Sequence, residues 1–397
     1  MMMLTLKLKA REERRLRAGH LWVYSNEIET GPQAGYDFRT IEPGALCRVM
    51  DHRGKPLGLG YVNPRTLLAV RILSGNVDAA IDRDWFARRI SAALALRERL
   101  YDEPYYRLLY AEADGVPGLV IDRYGEVLVV QITSAGIDKL KAPLLDALHE
   151  VLRPRGILMR NDSAARELEG LSQESEVIGD VPEPLEIREQ GLRYTLSLVG
   201  GQKTGFFYDQ RDNRTRLARY VRGRSVLDVF SYVGAWALRA LRDGASSATC
   251  LDSSQTALDA AQASAALNGL AIETIRDDAL AGMKALRAAG RHFDVVIVDP
   301  PALIKRRKDF DAGLEHYAAL NRAAMHLLAG DGILVSCSCS HHLGADDLQR
   351  ILLREARHAG RRLRLLEQGA QGPDHPVHPA IPETRYLKGF FCAVTAE

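Results

Sequence analysis

The stretch "FDVVIVDPPALIK" (residues 293–305) decides how this chain folds. Residues 295–298 are four β-branched side chains with no polar interruption, the form a strand takes when both of its faces are covered. Asp299 follows at once, and then two prolines. The prolines fix φ and remove two N–H donors, so the turn is stiff and Asp299 is held at the mouth of a sheet. A bare strand cap would not need both prolines.

The same rhythm continues on either side. "SVLDVF" precedes "GAWALRALRDG", "SATCLDSS" precedes "QTALDAAQASAALNGL", and "IETIRDDA" precedes "AGMKALRAAG". Downstream, a helix around "HYAALNRAAMHLLAG" leads to "GILVSCSCS" and then "ADDLQRILLREARHAG". Short apolar runs separated by helices predict a parallel α/β sheet with helices on both faces. Ligands of such sheets gather at the carboxyl ends of the strands, near the point where strand order reverses. Strand one ends in Asp228 and reaches a helix at Gly234 without a G-x-G-x-x-G fingerprint. Strand two ends in Asp252, 24 residues on, suited to both hydroxyls of a ribose, although Asp252 or Ser253 could equally be a helix N-cap. Asp278 ends strand three, where it would meet an adenine amino group or cap the next helix.

Strand five ends in "ILVSCSCSHH" (333–342). Alternation puts Cys337 and Cys339 on one side, with Cys339 nearer the carboxyl end and beside Asp299 if strands four and five are neighbours. Four zinc ligands within six residues make a poor tetrahedron, and no second Cys/His cluster with ligand spacing exists, so no metal is expected. A Cys337–Cys339 disulfide would be strained in an extended strand. Cys337 reads as a packing residue and Cys339 as a nucleophile whose thiolate needs positive charge or a base nearby.

Upstream, two further regions separate by pattern. Residues 1–75 read as short strands around one early charged helix, "REERRLRAG", a small β-barrel-like unit with 12 Lys/Arg against 7 Asp/Glu. Residues 78–100 read as a connector helix. From there to residue 200 the order β-β-α-β-β predicts an α+β module ending in "LRYTLSLV". The expected division is 1–75, 78–200 and 201–397. Six arginines in residues 211–224 and four consecutive bases in 305–308 suit phosphate, or simply a solvated helix face. Net charge is only +2, which does not advertise nucleic acid for the molecule as a whole. Five cysteines make no disulfide framework, no apolar run reaches the roughly 18 residues of a membrane span, and the N-terminus lacks a secretory core, so a cytoplasmic location is expected.

With "GQKTGFFYDQRDNR" (201–214), "LDVFSYVGAWAL" (227–238), "VDPPALIK" (298–305) and "SCSCS" (336–340), the chain resembles the RlmI-type S-adenosylmethionine-dependent large-subunit rRNA (cytosine-C5) methyltransferases over essentially its full length. "REERRLRAGHLWVYSNEI" and "EADGVPGLVIDRYG" resemble other stretches of that family. The resemblance implies an N-terminal PUA domain that binds RNA, a central β-β-α-β-β domain and a C-terminal Rossmann-like class I methyltransferase domain. It implies methylation of C5 of a cytosine in 23S rRNA through a covalent Cys–C6 adduct, with S-adenosylmethionine as cofactor and no membrane partner; a homodimer is left open. By this resemblance Gln202, Lys203, Thr204, Gly205, Phe206 and Phe207 wrap the cofactor, and Asp228, Phe230, Tyr232 and Gly234 form its methionine side. Asp252 takes the ribose and Asp278 the adenine. Asp299 orients the cytosine, and Cys339 attacks it. Pro300 flanks the cofactor, and Pro301 and Lys305 the substrate. The motif "DPPA" has no second cysteine to release product. Methylation at a base nitrogen, a non-catalytic RNA-binding assembly factor and a nicotinamide dehydrogenase remain as alternatives, the last disfavoured by the missing glycine fingerprint.

Overall fold

Residues 295–298 form the interior of a seven-stranded sheet in the computed structural model of the chain, which describes residues 3–31, 34–198 and 205–396. The strands are β1 (Ser225–Val229), β2 (Ser247–Asp252), β3 (Glu273–Arg276), β4 (Phe293–Val298), β5 (Leu328–Ser338), β6 (Arg361–Gly369) and β7 (Lys388–Ala396). Their order is β3-β2-β1-β4-β5-β7-β6. The first five are parallel, and β7 runs antiparallel to both β5 and β6. Strand order reverses between β1 and β4, which puts the ligand-binding crevice of an open α/β sheet at the ends of these two strands.

Side chains of β4 alternate between two cores. Val296 and Val298 pack with Leu227, Val229 and Leu334 under helices α4 (Ala279–Ala288), α5 (Phe310–Leu327) and α6 (Ala345–His358). Val295 and Ile297 pack with Val226, Val335 and Phe391 under α1 (Arg211–Val221), α2 (Ala235–Arg242) and α3 (Gln255–Leu267). Each fully buried Val, Leu or Ile contributes roughly 1.5–3 kcal/mol, so the continuous apolar run is what a doubly covered strand requires.

Strands β6 and β7 add to the five expected from the sequence. The edge strand β6, "RRLRLLEQG", exposes both Leu365 and Leu366 and so shows no clear alternation. The antiparallel hairpin Leu185–Glu189 with Leu192–Leu196 clusters with this sheet, in the unit made of residues 183–198, 207–373 and 385–396.

The other unit takes residues 3–182, 205–206 and 374–384. One of its sheets orders Leu4–Lys7, Ala45–Met50, Pro56–Val62, Leu68–Ser74 and Trp22–Tyr24. The early charged stretch forms a single helical turn, Arg14–Arg17, preceded by Arg11 at φ 79°. The second sheet orders Glu174–Gly179, Gly156–Asn161, Val127–Ile132, Leu119–Tyr124 and Tyr105–Tyr110. The last strand of the expected α+β module is therefore Glu174–Gly179, not "LRYTLSLV". It is a largely exposed edge strand, with too little apolar content to announce itself. Helix Arg83–Leu100 is more than a connector: Asp82 caps it through the Trp85 N–H (2.9 Å), and Trp85, Phe86 and Ile90 join the core that holds Leu119, Ile121 and Val130.

The arginine-rich helix α1 is not a solvated face at its start. Arg211 and Arg214 are buried, and both bond the buried Glu189 at the end of the hairpin's first strand, at 3.1 Å and 2.7–2.8 Å. Replacing Glu189 with Gln keeps the shape but removes the buried negative charge that both guanidiniums bond. The expected loss is about 3–5 kcal/mol, read as a lowered urea midpoint. Glu186→Gln, which breaks only exposed pairs with Arg193 and Arg188, should cost less than about 1 kcal/mol.

Candidate active site

Asp299 sits one residue past β4. Register sets Val298 beside Val229 of β1 and Ser336 of β5, so the carboxyl lies between the ends of three strands. Its Oδ1 accepts from Gln210 Nε2 (2.9 Å) and its Oδ2 from the Trp236 indole N–H (3.0 Å). Gln210 is itself held by Asn213, whose Nδ2 donates to Gln210 Oε1 at 2.7 Å. Asn213 packs so closely against Gly369 that a Cβ there would fall 1.9 Å from Asn213 Oδ1. Burial pushes the Asp299 carboxyl up to about 6; the charge of Asp209 adds to this, and the Trp236 and Gln210 bonds oppose it. A carboxyl near neutral pKa can both hold and accept a proton at working pH.

The β1–α2 turn explains how the chain manages without a glycine fingerprint. Phe230 and Tyr232 take the left-handed conformation themselves, at φ 63° and 49°, and Gly234 follows at 73°. Side chains there cost of order 1–3 kcal/mol each. Hydrogen bonds to the end of β2 hold them: Phe230 N–H to Leu251 O (2.9 Å) and Tyr232 N–H to Asp252 Oδ2 (2.9 Å). Asp252 Oδ1 accepts from the Ser254 N–H, and the N-cap of α3 is Ser254, neither Asp252 nor Ser253. Each Asp252 oxygen keeps a lone pair for a further donor. The Phe207 ring meets Tyr232 edge to face at 5.6 Å, and Arg214 grips the Phe207 carbonyl at 3.1 Å.

Asp228 is fully buried. Its Oδ2 accepts from the Ala237 N–H (3.2 Å), whereas Oδ1 has no hydrogen-bond partner among the described residues. Burial drives its carboxyl well above the usual range, with the charges of Asp299 and Asp252 adding to the rise and the Ala237 bond opposing it. An orphaned acceptor here fits a ligand that brings its own cation, such as the methionine ammonium of S-adenosylmethionine. Together with the spare lone pairs of Asp252, the acids at the ends of β1 and β2 suit that cofactor.

Cys339 lies one residue beyond β5, so strict alternation with Cys337 ends before it. The two part company: Cys337 is buried beneath Gly389, whereas Cys339 is partly exposed, with its Sγ 3.8 Å from the Pro300 carbonyl. Burial raises the Cys337 thiol far above its ordinary value, and the nearby Asp299 charge adds to this. Both serines around Cys339 are fully buried and pinned. The Tyr317 hydroxyl bonds Ser338 Oγ (2.8 Å) and Ser340 Oγ (2.9 Å), and Ser340 Oγ accepts from the Ile304 N–H (3.0 Å). The parallel pairing of β4 with β5 thus brings Asp299 and Cys339 to one mouth.

Other expected residues are spread more widely. Asp278 is exposed and caps α4 through Oδ1, with the N–H groups of Leu280 and Ala281 at 3.0 and 3.1 Å. Pro300 is buried, while Pro301 and Lys305 are exposed. Gly205 and Phe206 cluster with the N-terminal unit, where the Phe206 N–H donates to the Tyr124 hydroxyl (2.9 Å), and Phe207 clusters with the seven-stranded sheet. Gln202, Lys203 and Thr204 lie outside the described residues. Sequence reasoning passed over Gln210, Asn213, Trp236 and Tyr317. The signal was present in "YDQRDNR", a polar run in which Asp209, Gln210, Arg211, Asn213 and Arg214 are all buried. Among the described residues no group of three or more His, Cys, Asp or Glu could hold a metal ion, and no helix is long and apolar enough to cross a membrane.

Comparison with known proteins agrees with this geometry. Residues 6–75 match the family described as PUA-like domain, and residues 149–387 match S-adenosylmethionine-dependent methyltransferase. The Erwinia tasmaniensis protein named ribosomal RNA large subunit methyltransferase I is 38% identical over 97% of this chain and 98% of its own length. Its namesake from Shewanella denitrificans is 38% identical over 99% and 100%. A solved Streptococcus mutans structure, described as a candidate SAM-dependent methyltransferase, shares the fold at a TM-score of 0.82 and 19% identity, covering 98% of this chain and all of that one. A PUA-like unit, a switch-point crevice lined by strand-end acids and full-length relatives at this identity place the chain in the S-adenosylmethionine-dependent methyltransferase family that includes the ribosomal RNA large subunit methyltransferase I proteins.

Proposed function

We propose that the protein methylates C5 of a cytosine in large-subunit ribosomal RNA, through a transient covalent bond between Cys339 and C6 of the base. The observation that carries this reading is the partly exposed Cys339 thiol, fixed between two pinned serines at the mouth it shares with Asp299. Cytosine C5 is too weak a nucleophile to take a methyl group unaided. A thiolate adding at C6 pushes electron density onto C5 and N3. Asp299, its pKa raised to about 6, holds or gives a proton at N3 and orients the ring there or at the N4 amino group. Bound S-adenosylmethionine supplies the electrophilic methyl. The C5 proton then passes to water, and the C5–C6 double bond re-forms as the C6–S bond breaks and the N3 proton returns to Asp299.

On this reading the pinning of Ser338 and Ser340 serves orientation: it confines Cys339 to one approach, which is where much of an enzyme's rate advantage arises. Asp228 and Asp252 hold the cofactor's ammonium and ribose, with Phe230, Tyr232 and Gly234 forming the turn around it. Phe207, Asp278 and Pro300 flank the cofactor. Pro301 and Lys305 face the RNA. The basic excess of residues 1–75 contributes phosphate contact, and these residues, 78–200 and 201–397 divide the work between RNA binding, support and chemistry.

Cys339→Ala should abolish turnover while cofactor affinity stays within about twofold of the wild type. Cys337→Ala, which alters only packing, should keep most of the activity. The assay incubates purified protein with unmodified rRNA and labelled S-adenosylmethionine and identifies the modified nucleoside by mass spectrometry. A normally active Cys339→Ala enzyme would mean methylation at a base nitrogen.

Asp228 gives a pH-dependent prediction. Its pKa is raised in the fold, so its contribution is fully present below the unfolded carboxylate pKa and is lost as pH rises and the buried group ionises. Asp228→Asn keeps an acceptor for Ala237 and removes that cost. Its cofactor-free Tm should therefore exceed that of the wild type at about pH 8, by an amount worth ~1–3 kcal/mol, and the two should converge near pH 4. Calorimetry should at the same time show S-adenosylmethionine affinity falling at least about tenfold.

A further inference from the structure

Lys388 opens β7, where the antiparallel register sets it opposite Ser338 of β5. Its side chain turns inward. The residue is 8% exposed, and Nζ donates to the Ser340 carbonyl oxygen at 2.6 Å. Ser340 directly follows Cys339, so the ammonium sits on the very turn that presents the thiol. Among the described residues no carboxylate pairs with Lys388. An ammonium buried without a counter-ion is costly, and a carbonyl dipole compensates only in part. Burial pulls its pKa down to about 8, and the group whose charge opposes that fall is Cys339.

The geometry points to Lys388 as a positioning residue that acts as the counter-ion of the Cys339 thiolate. This deepens the reading of Cys339 as nucleophile and rests on it. The step it supports is simple. The Cys339 S–H bond breaks, the electron pair stays on sulfur, the proton passes to water, and the Lys388 ammonium balances the new charge. When the sulfur bonds C6 the ammonium loses this partner. When the C6–S bond breaks the partner returns, so the same cation favours departure of the sulfur at the end of the cycle. This matters in a site whose "DPPA" motif holds no second cysteine.

Other groups face the thiol from each surrounding element. Cys337 lies on β5, and Tyr317 on α5 bonds both flanking serines. Asp299 follows β4, and its charge and that of Asp209 bear on Cys337. His341 and His342 follow on the same turn but are exposed. Among the described residues Lys388 is a cation buried on the turn that carries the thiol.

The test alkylates the full-length, RNA-free protein with iodoacetamide from about pH 6 to about pH 9 and follows Cys339 by peptide mass spectrometry. Lys388→Met should slow alkylation at neutral pH about tenfold and move the midpoint up by about one pH unit, whereas Lys388→Arg should stay within about threefold of the wild type. Cys337, buried in the folded chain, serves as the internal check of folding. An unchanged profile in folded Lys388→Met overturns the proposal. If that variant unfolds and exposes Cys337, Cys339→Ala decides: without the thiolate the Lys388 amine should be acetylated several-fold faster by acetic anhydride, and an unchanged rate overturns the pairing. Because no methyl transfer is measured, these outcomes stand apart from whether Cys339 proves to be the nucleophile in turnover.

Discussion

A carboxylate at the end of a strand covered on both faces must find hydrogen-bond donors, and Asp299 finds them on two other elements. Trp236 comes from the first turn of α2, and Gln210 from the residue before α1. Each donor is positioned by something else. Asn213 holds Gln210, and the absence of a side chain at Gly369 makes room for Asn213. Arg214, one helical step along, anchors the Phe207 carbonyl and the hairpin through Glu189. Hydrogen bonds inside a protein are electrostatically stronger than in water, so each link of this chain helps to fix the next. The segment "YDQRDNR" is therefore a polar wedge, built to keep one carboxyl in one orientation.

The turn after β5 follows the same logic with different chemistry. Tyr317 reaches from α5 to both serines, the Ile304 N–H reaches Ser340 from the segment after the two prolines, and Lys388 reaches Ser340 from β7. The backbone around Cys339 has little freedom left, while its side chain keeps access to solvent. Cys337, two residues earlier, has the reverse condition, with its thiol sealed and driven far from ionisation. Two cysteines of the same short motif thus receive opposite environments.

Strain is concentrated where the cofactor loop turns. Phe230 and Tyr232 hold left-handed backbone that glycine would take more cheaply. In exchange Phe230 packs against the core of the sheet, and Tyr232 meets Phe207. Hydrogen bonds to the end of β2 absorb the cost, which ties the loop to Asp252.

By itself the sequence determined the parallel sheet and the strand-end acids Asp228, Asp252 and Asp299. These follow from local properties: β-branched runs, chain punctuation and the stiffness of two prolines. It also carried the family resemblance, through motifs read together. Only the tertiary structure decided the rest. Arg211 and Arg214 looked like a solvated face until Glu189, more than twenty residues earlier, proved to be their buried partner. Glu174–Gly179 is a strand because a neighbour offers it hydrogen bonds, not because its composition asks for one. Lys388 comes to rest beside the Cys339 turn because β7 inserts antiparallel between β5 and β6. Charge burial and pairing depend on which distant segments meet, and a linear pattern of residues does not contain that information.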